Sequence, residues 1–201
     1  VGKEAPTVRD SEYFASAFNA IQQLIAEDLI LAGHDISAGG MITALLEMNF
    51  GNTEGGLEVK LDKIPEKDLI KILFSENPGV LIQVKDRKAV EKILEEAGVG
   101  YAVIGHPCSE RHILVSKDGA EYLFGIDHLR DVWFSSSYLL DRKQSGDEQA
   151  KARFLNYKEQ PLHYHFNKEF TGKMQSYGIS ADRRTPSGVK AAIIREKGVN
   201  G

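Results

Sequence analysis

The sequence predicts an α/β (α+β) fold over residues 1–141, with a single mixed sheet packed against helices. Three observations predict it. Helical periodicity and strand-like alternation follow each other along these residues, and glycine-rich or proline-containing turns separate the segments. A chain of 201 residues with 42% hydrophobic residues is also large enough to bury one core.

The first half of this region combines three helical segments with one strand. Apolar residues recur at three- to five-residue spacing from Phe14 to Leu29, which predicts an amphipathic helix that Asp10 or Ser11 could cap. The alternation of residues 57–61 predicts a strand. In chain order, the predicted elements are a helix at 10–31, a glycine-rich turn at 33–40, a helix at 41–50, a strand at 57–61 and a helix at 65–73.

The second half begins with a turn at residues 76–79, whose Pro78-Gly79 pair is a strong turn signal. Asp118-Gly119 favours a tight hairpin turn. The predicted elements are strands at 80–84 and 101–104, a helix from 86 to 98, hairpin strands at 112–115 and 121–124, and a helix at 128–140.

The composition changes after residue 141. Residues 142–188 are polar, weakly periodic and punctuated by aromatic residues, which predicts a linker that wraps on a neighbour. Residues 189–201 predict the first strand of a further domain. We therefore expect the chain to be part of a longer protein.

The net charge of −4 excludes a strongly basic, nucleic-acid-binding surface. No apolar run approaches the length of a membrane span. The one cysteine, Cys108, excludes an internal disulfide and favours a reducing compartment. These observations predict a cytoplasmic protein that binds neither nucleic acid nor membranes.

Residues 34–40 bring together groups that suit a magnesium nucleotide. Asp35 is a carboxylate that could hold Mg²⁺, and Ser37 could contact a phosphate. Gly39 and Gly40 let the backbone approach a ligand at a helix start, where free N–H groups favour anions. The alternative is structural, because Asp35 or Ser37 could simply cap the helix at Met41. From the residues alone, capping is favoured.

Three other polar residues are weaker candidates. His34 could be a general base, but a lone histidine beside a cap is more often structural. Glu76 could face a ligand or be a solvated turn residue. Cys108 has no convincing base near it in the sequence and is interpreted as an ordinary thiol.

Residues 33–41, GHDISAGGM, resemble the HD-x-S-x-GG motif of the aminoimidazole ribonucleotide synthetase C-terminal domain superfamily. Four further stretches are similar to one branch of it, the large single-chain phosphoribosylformylglycinamidine synthases. They are residues 45–48 (LLEM), 73–84 (LFSENPGVLIQV), 129–138 (LRDVWFSSSY) and 190–201 (KAAIIREKGVNG). Ala38 stands where many relatives carry a polar residue.

The resemblance implies a place in a larger ligase. That family uses ATP and glutamine to convert formylglycinamide ribonucleotide to its amidine, with ADP, phosphate and glutamate as by-products. This chain is similar to its second C-terminal (B) domain, whose site holds a structural Mg-nucleotide, ATP or ADP. By resemblance, Asp35 is a magnesium ligand and Ser37 touches the nucleotide.

The remaining expectations follow from that placement. No catalytic residue of the family matches a position in this chain, so the fragment is expected to be inactive alone. Its expected partners are the A domains and the glutaminase domain of the full enzyme, and it could form a homodimer. The alternative is a stand-alone nucleotide-binding or interaction module of the same fold.

Overall fold

The computed structural model describes residues 7–156, 159 and 165–180. The chain divides into two compact units, Val1–Glu159 and Gln160–Gly201. The elements of the first unit are, in chain order, α1 (Ser11–Ala26), β1 (Ile30–Ile36), α2 (Gly40–Phe50), β2 (Gly56–Lys60), α3 (Leu69–Phe74), β3 (Gly79–Val84), α4 (Arg87–Glu96), β4 (Gly105–Cys108), β5 (His112–Lys117), β6 (Ala120–Gly125), α5 (Ile126–Ser145) and α6 (Asp147–Leu155).

The α/β class is confirmed, but the described strands form two sheets rather than one. Strands β1 and β3 pair antiparallel as a two-stranded ribbon. The other sheet has the order β4-β2-β5-β6, in which β2 and β5 are parallel and the outer pairs are antiparallel. Alternation identifies a strand and its buried face, but it does not identify the strand's partner, so the sequence could not separate the sheets.

The described residues contain two clusters of buried apolar side chains. Helices α2, α3 and α5 bury one face against the four-stranded sheet, with Leu61, Ile113 and Ile126 fully buried there. Helices α1 and α4 bury Leu24, Val90 and Leu94 against the ribbon. The expectation of one core therefore needs correction: the ribbon packs Ile30, Ile82 and Val84 against α1 and α4, and it contributes Ile36 and Leu81 to the cluster of the larger sheet.

The predicted first helix is too long. Helix α1 ends at Ala26, and β1 begins at Ile30. Asp28 adopts a left-handed φ of 56°, which a helix cannot continue through, and the Leu29 N–H closes the turn on the Leu24 carbonyl. As a result, Gly33 to Ile36 lie on a strand, and only residues 37–39 form the predicted turn.

Other boundaries move by a few residues. The predicted strand at 101–104 is not a strand, and β4 begins at Gly105. Helix α3 begins at Leu69 rather than 65, because the Asp68 carboxylate caps it through the N–H groups of Ile70 and Lys71. The cap at Asp86 and the hairpin around Asp118-Gly119 form as predicted.

The end of the first unit is an α5–α6 helical hairpin. The predicted boundary at residue 141 falls inside α5, and α6 packs back on it. Ala150 is buried there, and the rings of Tyr138 and Phe154 stack at 4.8 Å. The predicted terminal strand at 189–201 lies outside the described residues.

In the second unit, residues 165–180 contain a short 3₁₀ helix, Met174–Tyr177. The rings of Phe166 and Phe170 stack at 4.6 Å, and Tyr177 lies 6.1 Å from Phe170. These are three of the aromatic residues that punctuate the predicted linker. No helix in the part of the chain that the structure describes is long and apolar enough to cross a bilayer.

Candidate functional site

Asp35 lies one residue before the end of β1, opposite Val80 of β3. Side chains alternate along this strand, so that His34 and Ile36 are partly buried while Asp35 points to the exposed face. The Asp35 side chain is 74% exposed. Its Oδ1 lies 3.7 Å from His34 Nδ1, and most of the carboxylate is open to solvent.

A tight turn connects Asp35 to α2. The Gly40 N–H donates to the Ser37 carbonyl over 3.0 Å, and Ser37 itself is exposed. Gly39 and Gly40 have φ values of 84° and 74°, which side-chain-bearing residues rarely adopt. The glycine pair is thus required by the backbone path of the turn.

The structure rejects the capping interpretation of this turn. The N-cap of α2 is Gly39, and no side chain caps the helix. Neither Asp35 nor Ser37 serves as that cap. The hydroxyl of Thr43 donates to the Gly39 carbonyl at 3.1 Å from within the helix.

Glu76 contacts this turn from another part of the chain. Its Oε1 accepts a hydrogen bond from the Gly39 N–H over 2.8 Å. Glu76 is an exposed residue of the connection between α3 and β3, in agreement with its interpretation as a solvated turn residue, but its carboxylate also has a specific partner. The same contact means that the Gly39 N–H, predicted to bind nucleotide, already has a protein partner.

The contacts of the His34 ring are those of a structural residue and not those of an available general base. Its Nδ1 lies 2.7 Å from the Asp35 carbonyl oxygen, and its Nε2 lies 3.1 Å from Glu47 Oε2 on α2. Both side chains are more than two-thirds buried. With both ring nitrogens engaged, His34 joins β1 to α2.

Glu47 was missed as a site residue, although the sequence carries a signal for it. It is the only charged residue in α2, GMITALLEMNF. A single charged side chain in a largely buried helix indicates a specific partner, because burying an unpaired charge is costly.

An open cleft of 1610 Å³ borders the ribbon, α1 and residues 99–108. Asp35, Asn77 and Gly79 line it, together with the aromatic rings of Phe14 and Phe18. Among the four predicted site residues, Asp35 is the one that lines the cleft. The volume is more than a small ligand needs, and the lining combines apolar surface with several charged side chains, of which Asp35 is one.

The described residues do not contain a complete metal site. Among the described residues, no three or more His, Cys, Asp or Glu side chains cluster as a metal-binding group. Mg²⁺ is commonly held by one or two carboxylates together with phosphate oxygens and water. A single exposed carboxylate such as Asp35 meets only part of that requirement.

Cys108 does not resemble an activated nucleophile. Burial raises the pKa of the Cys108 thiol, and its Sγ lies 3.7 Å from the Glu110 carbonyl oxygen. A reactive cysteine needs the opposite shift, towards the thiolate. Its interpretation as an ordinary thiol agrees with this environment.

Comparison with known proteins gives consistent matches. The chain is 32% identical to the phosphoribosylformylglycinamidine synthase of Homo sapiens over 210 residues, and 30% identical to the probable chloroplastic/mitochondrial one of Arabidopsis thaliana over 207. Both alignments cover the whole chain, but the chain spans only 15% and 14% of these relatives.

Solved structures share the fold. PurL from T. maritima complexed with ATP superimposes with a TM-score of 0.55 at 19% identity, over 62% of this chain and 23% of that one. PurLQS from Thermotoga maritima gives the same TM-score at 21% identity, over 64% and 23%.

A family model, AIR synthase related protein, C-terminal domain, matches residues 2–116. That match covers more than half of the 201 residues and includes the whole Asp35–Gly40 turn. The chain therefore belongs to the family of AIR synthase related proteins through their C-terminal domain.

Proposed function

We propose that this chain is one segment of a phosphoribosylformylglycinamidine synthase and that it forms one side of a magnesium–nucleotide site. The alignment of the entire chain with relatives of that name supports the first part. The chain spans about 15% of such a protein, so the reaction requires the rest of it.

The exposed carboxylate of Asp35 carries the nucleotide role. It stands at the end of β1, lines the cleft and is followed by the Ser37–Gly40 turn. PurL structures of the same fold have been solved with ATP and with ADP, which supports a nucleotide as the ligand. In this proposal, Asp35 holds Mg²⁺, which neutralises phosphate charge, while Ser37 and the glycine turn lie beside the nucleotide.

The whole protein would convert formylglycinamide ribonucleotide, ATP and glutamine to formylglycinamidine ribonucleotide, ADP, phosphate and glutamate. Within it, this segment scaffolds the site, and the A domains supply the other magnesium ligands. The glutaminase partner, the cytoplasmic location and self-association are parts of the same proposal. The isolated chain is expected to show neither ligase nor glutaminase activity.

Titration calorimetry of MgADP into the chain tests the site. Asp35→Asn keeps the size of the side chain and removes the charge, and we expect it to weaken binding about tenfold, or about 1.4 kcal/mol. Glu121→Gln is the matched control, because Glu121 is an exposed carboxylate on β6 in the other sheet.

Two results would contradict a nucleotide site in the isolated chain, and neither bears on its relationship to the synthases. The wild-type chain could fail to bind MgADP, in which case it holds no part of the site by itself. Alternatively, Asp35→Asn and Glu121→Gln could bind as tightly as wild type, in which case the nucleotide lies elsewhere.

A further inference from the structure

We propose that Glu76 is a positioning residue for the nucleotide site: its carboxylate holds the Ser37–Gly40 turn in the conformation that places Asp35 and Ser37 beside the ligand. This inference rests on the proposed function. It assigns to Glu76 an action through the turn, without contact to the nucleotide or metal.

The first observation is the long-range hydrogen bond. The Gly39 N–H donates to Glu76 Oε1 over 2.8 Å, although the two residues are 37 positions apart in the chain. Gly39 is the N-cap of α2, where exposed N–H groups and the helix dipole favour a negative charge. A bond from an N–H to an ionised carboxylate is also stronger than one between neutral groups.

The second observation is the close approach of two backbones at Gly40. A Cβ at this position would lie 2.6 Å from the Leu73 carbonyl oxygen and 2.7 Å from Phe74 backbone atoms. The end of α3 therefore presses directly on the first residue of α2. Gly39 and Gly40 are fixed from the same segment, one by a hydrogen bond and the other by packing.

The third observation is the strand register. Ile36 pairs with Gly79 in the last step of the ribbon, beyond which the two strands separate. Gly39 lies three residues after Ile36, and Glu76 lies three residues before Gly79. The Gly39–Glu76 bond thus closes the loop that opens at the end of the ribbon, directly after Asp35.

These contacts define what Glu76 does. If the Glu76 carboxylate is removed, the Gly39 N–H loses its hydrogen-bond partner. The turn is then held only by the packing of Gly40 against Leu73 and Phe74. Asp35 stays on β1, but the backbone between Asp35 and α2 can adopt more conformations. A ligand that needs Asp35 and Ser37 in one geometry must then order the turn when it binds, at a cost in affinity.

The test compares Glu76→Ala, Glu76→Gln and the control Glu121→Gln in two measurements. The first is the amide resonance of Gly39 in a ¹H–¹⁵N spectrum of the ligand-free chain. The second is MgADP affinity by calorimetry. We expect Glu76→Ala to move the Gly39 resonance and to weaken MgADP roughly five- to tenfold. Glu76→Gln keeps an acceptor oxygen and should restore most of the affinity, and the control should change neither measurement.

The outcomes separate this inference from the proposed function. If Glu76→Ala does not move the Gly39 resonance, the hydrogen bond between Gly39 and Glu76 is not formed in solution. If Glu76→Ala shifts the Gly39 resonance but binds MgADP as tightly as wild type, the positioning role is wrong. The proposed function still stands in that case, provided that Asp35→Asn weakens MgADP binding. If neither Asp35→Asn nor Glu76→Ala affects MgADP, both the proposed function and the positioning role are wrong.

Discussion

His34 Nε2 lies 3.1 Å from Glu47 Oε2, which joins the strand carrying Asp35 to the helix that follows the candidate turn. The opposite nitrogen of the same ring lies 2.7 Å from the Asp35 carbonyl oxygen. One side chain therefore fixes both the backbone of the predicted magnesium ligand and the orientation of α2. The motif histidine acts here as a structural connection.

Loss of this connection should destabilise the first unit. We expect Glu47→Ala to lower the free energy of unfolding by about 1–3 kcal/mol, because it leaves a partly buried His34 nitrogen without its partner. Urea unfolding followed by circular dichroism measures the change. Glu121→Gln on the other sheet should stay within about 0.5 kcal/mol of wild type. Equal stability of Glu47→Ala and this control would show that the contact contributes nothing.

Gly40 gives a second prediction, with an internal control for its backbone conformation. Gly40 and Gly98 both have positive φ, 74° and 65°, but a Cβ at Gly98 would meet nothing within 4 Å. Gly98→Ala should therefore cost only the left-handed strain of about 1 kcal/mol. Gly40→Ala adds a clash with the backbone of Leu73 and Phe74 and should cost at least about 2 kcal/mol more. Similar losses in the two variants would contradict the close approach.

The errors in the predicted fold concentrate where one local pattern fits two structures. Leu29, Ile30 and Leu31 continue the apolar spacing of α1, and the sequence alone assigned them to that helix. The left-handed backbone at Asp28 ends the helix instead, and pairing with β3 makes the next residues a strand. Pairing partners lie about fifty residues away, so local periodicity does not contain that information. The capped helix α4 and the Asp118-Gly119 hairpin were predictable because their signals are local.

The sequence was sufficient to predict which residue types form the candidate site, but it was not sufficient to predict their contacts. A carboxylate, a hydroxyl and two glycines before a helix indicated the Asp35–Gly40 turn. That Glu76 holds Gly39 could not be inferred, because their contact depends on how the ribbon brings two distant turns together. The sequence favoured capping by Asp35 or Ser37 because the N–H groups at the start of a helix need acceptors. The sequence does not show which group supplies them.

The Arg111 side chain connects the end of α2, the segment that follows it and the start of α5. Its replacement gives a third prediction. Its guanidinium bonds Asp127 Oδ1 at 2.9 Å and the carbonyl oxygens of Asn52, Gly55 and Asn49 at 2.7, 3.2 and 3.3 Å. It thereby fixes the end of α2 to the start of α5. Its side chain is 18% exposed. We expect Arg111→Ala to cost about 2–4 kcal/mol, because several polar groups each lose a hydrogen bond at the same time.

A lysine should not replace this arginine, because an ammonium group cannot reproduce the planar, multi-donor geometry. Arg111→Lys is expected to recover less than half of the stability lost in Arg111→Ala, measured by urea unfolding. Arg87→Ala is the matched control, since Arg87 is 57% exposed and pairs with Glu91 one helical turn away. Such pairs contribute about 0.3–0.5 kcal/mol. Full rescue by lysine would show that charge alone matters at this position.

The α5–α6 hairpin should lose stability in acid. The two hydrogen bonds from the Arg153 guanidinium, followed by that from the Ser145 hydroxyl, hold the pKa of Asp141 below its ordinary value. A hydrogen bond from Arg142 lowers the pKa of Asp147 in the same way. A carboxyl whose folded pKa is depressed stabilises the fold above its ordinary pKa of about 4 and loses this contribution as the pH falls through the folded value.

Thermal unfolding of the wild-type chain and Asp141→Asn between pH 7 and pH 3 measures this contribution. At pH 7 the variant should be less stable, because a neutral amide in place of the carboxylate cannot form the charged pair with Arg153. As the pH falls below the ordinary carboxyl pKa of about 4, protonation of Asp141 in the unfolded chain reduces this contribution, and the two melting temperatures should draw closer as the pH approaches the lower folded pKa. A difference that stays constant down to pH 3 would mean that the hairpin depends on the shape of the side chain at this position and not on its charge.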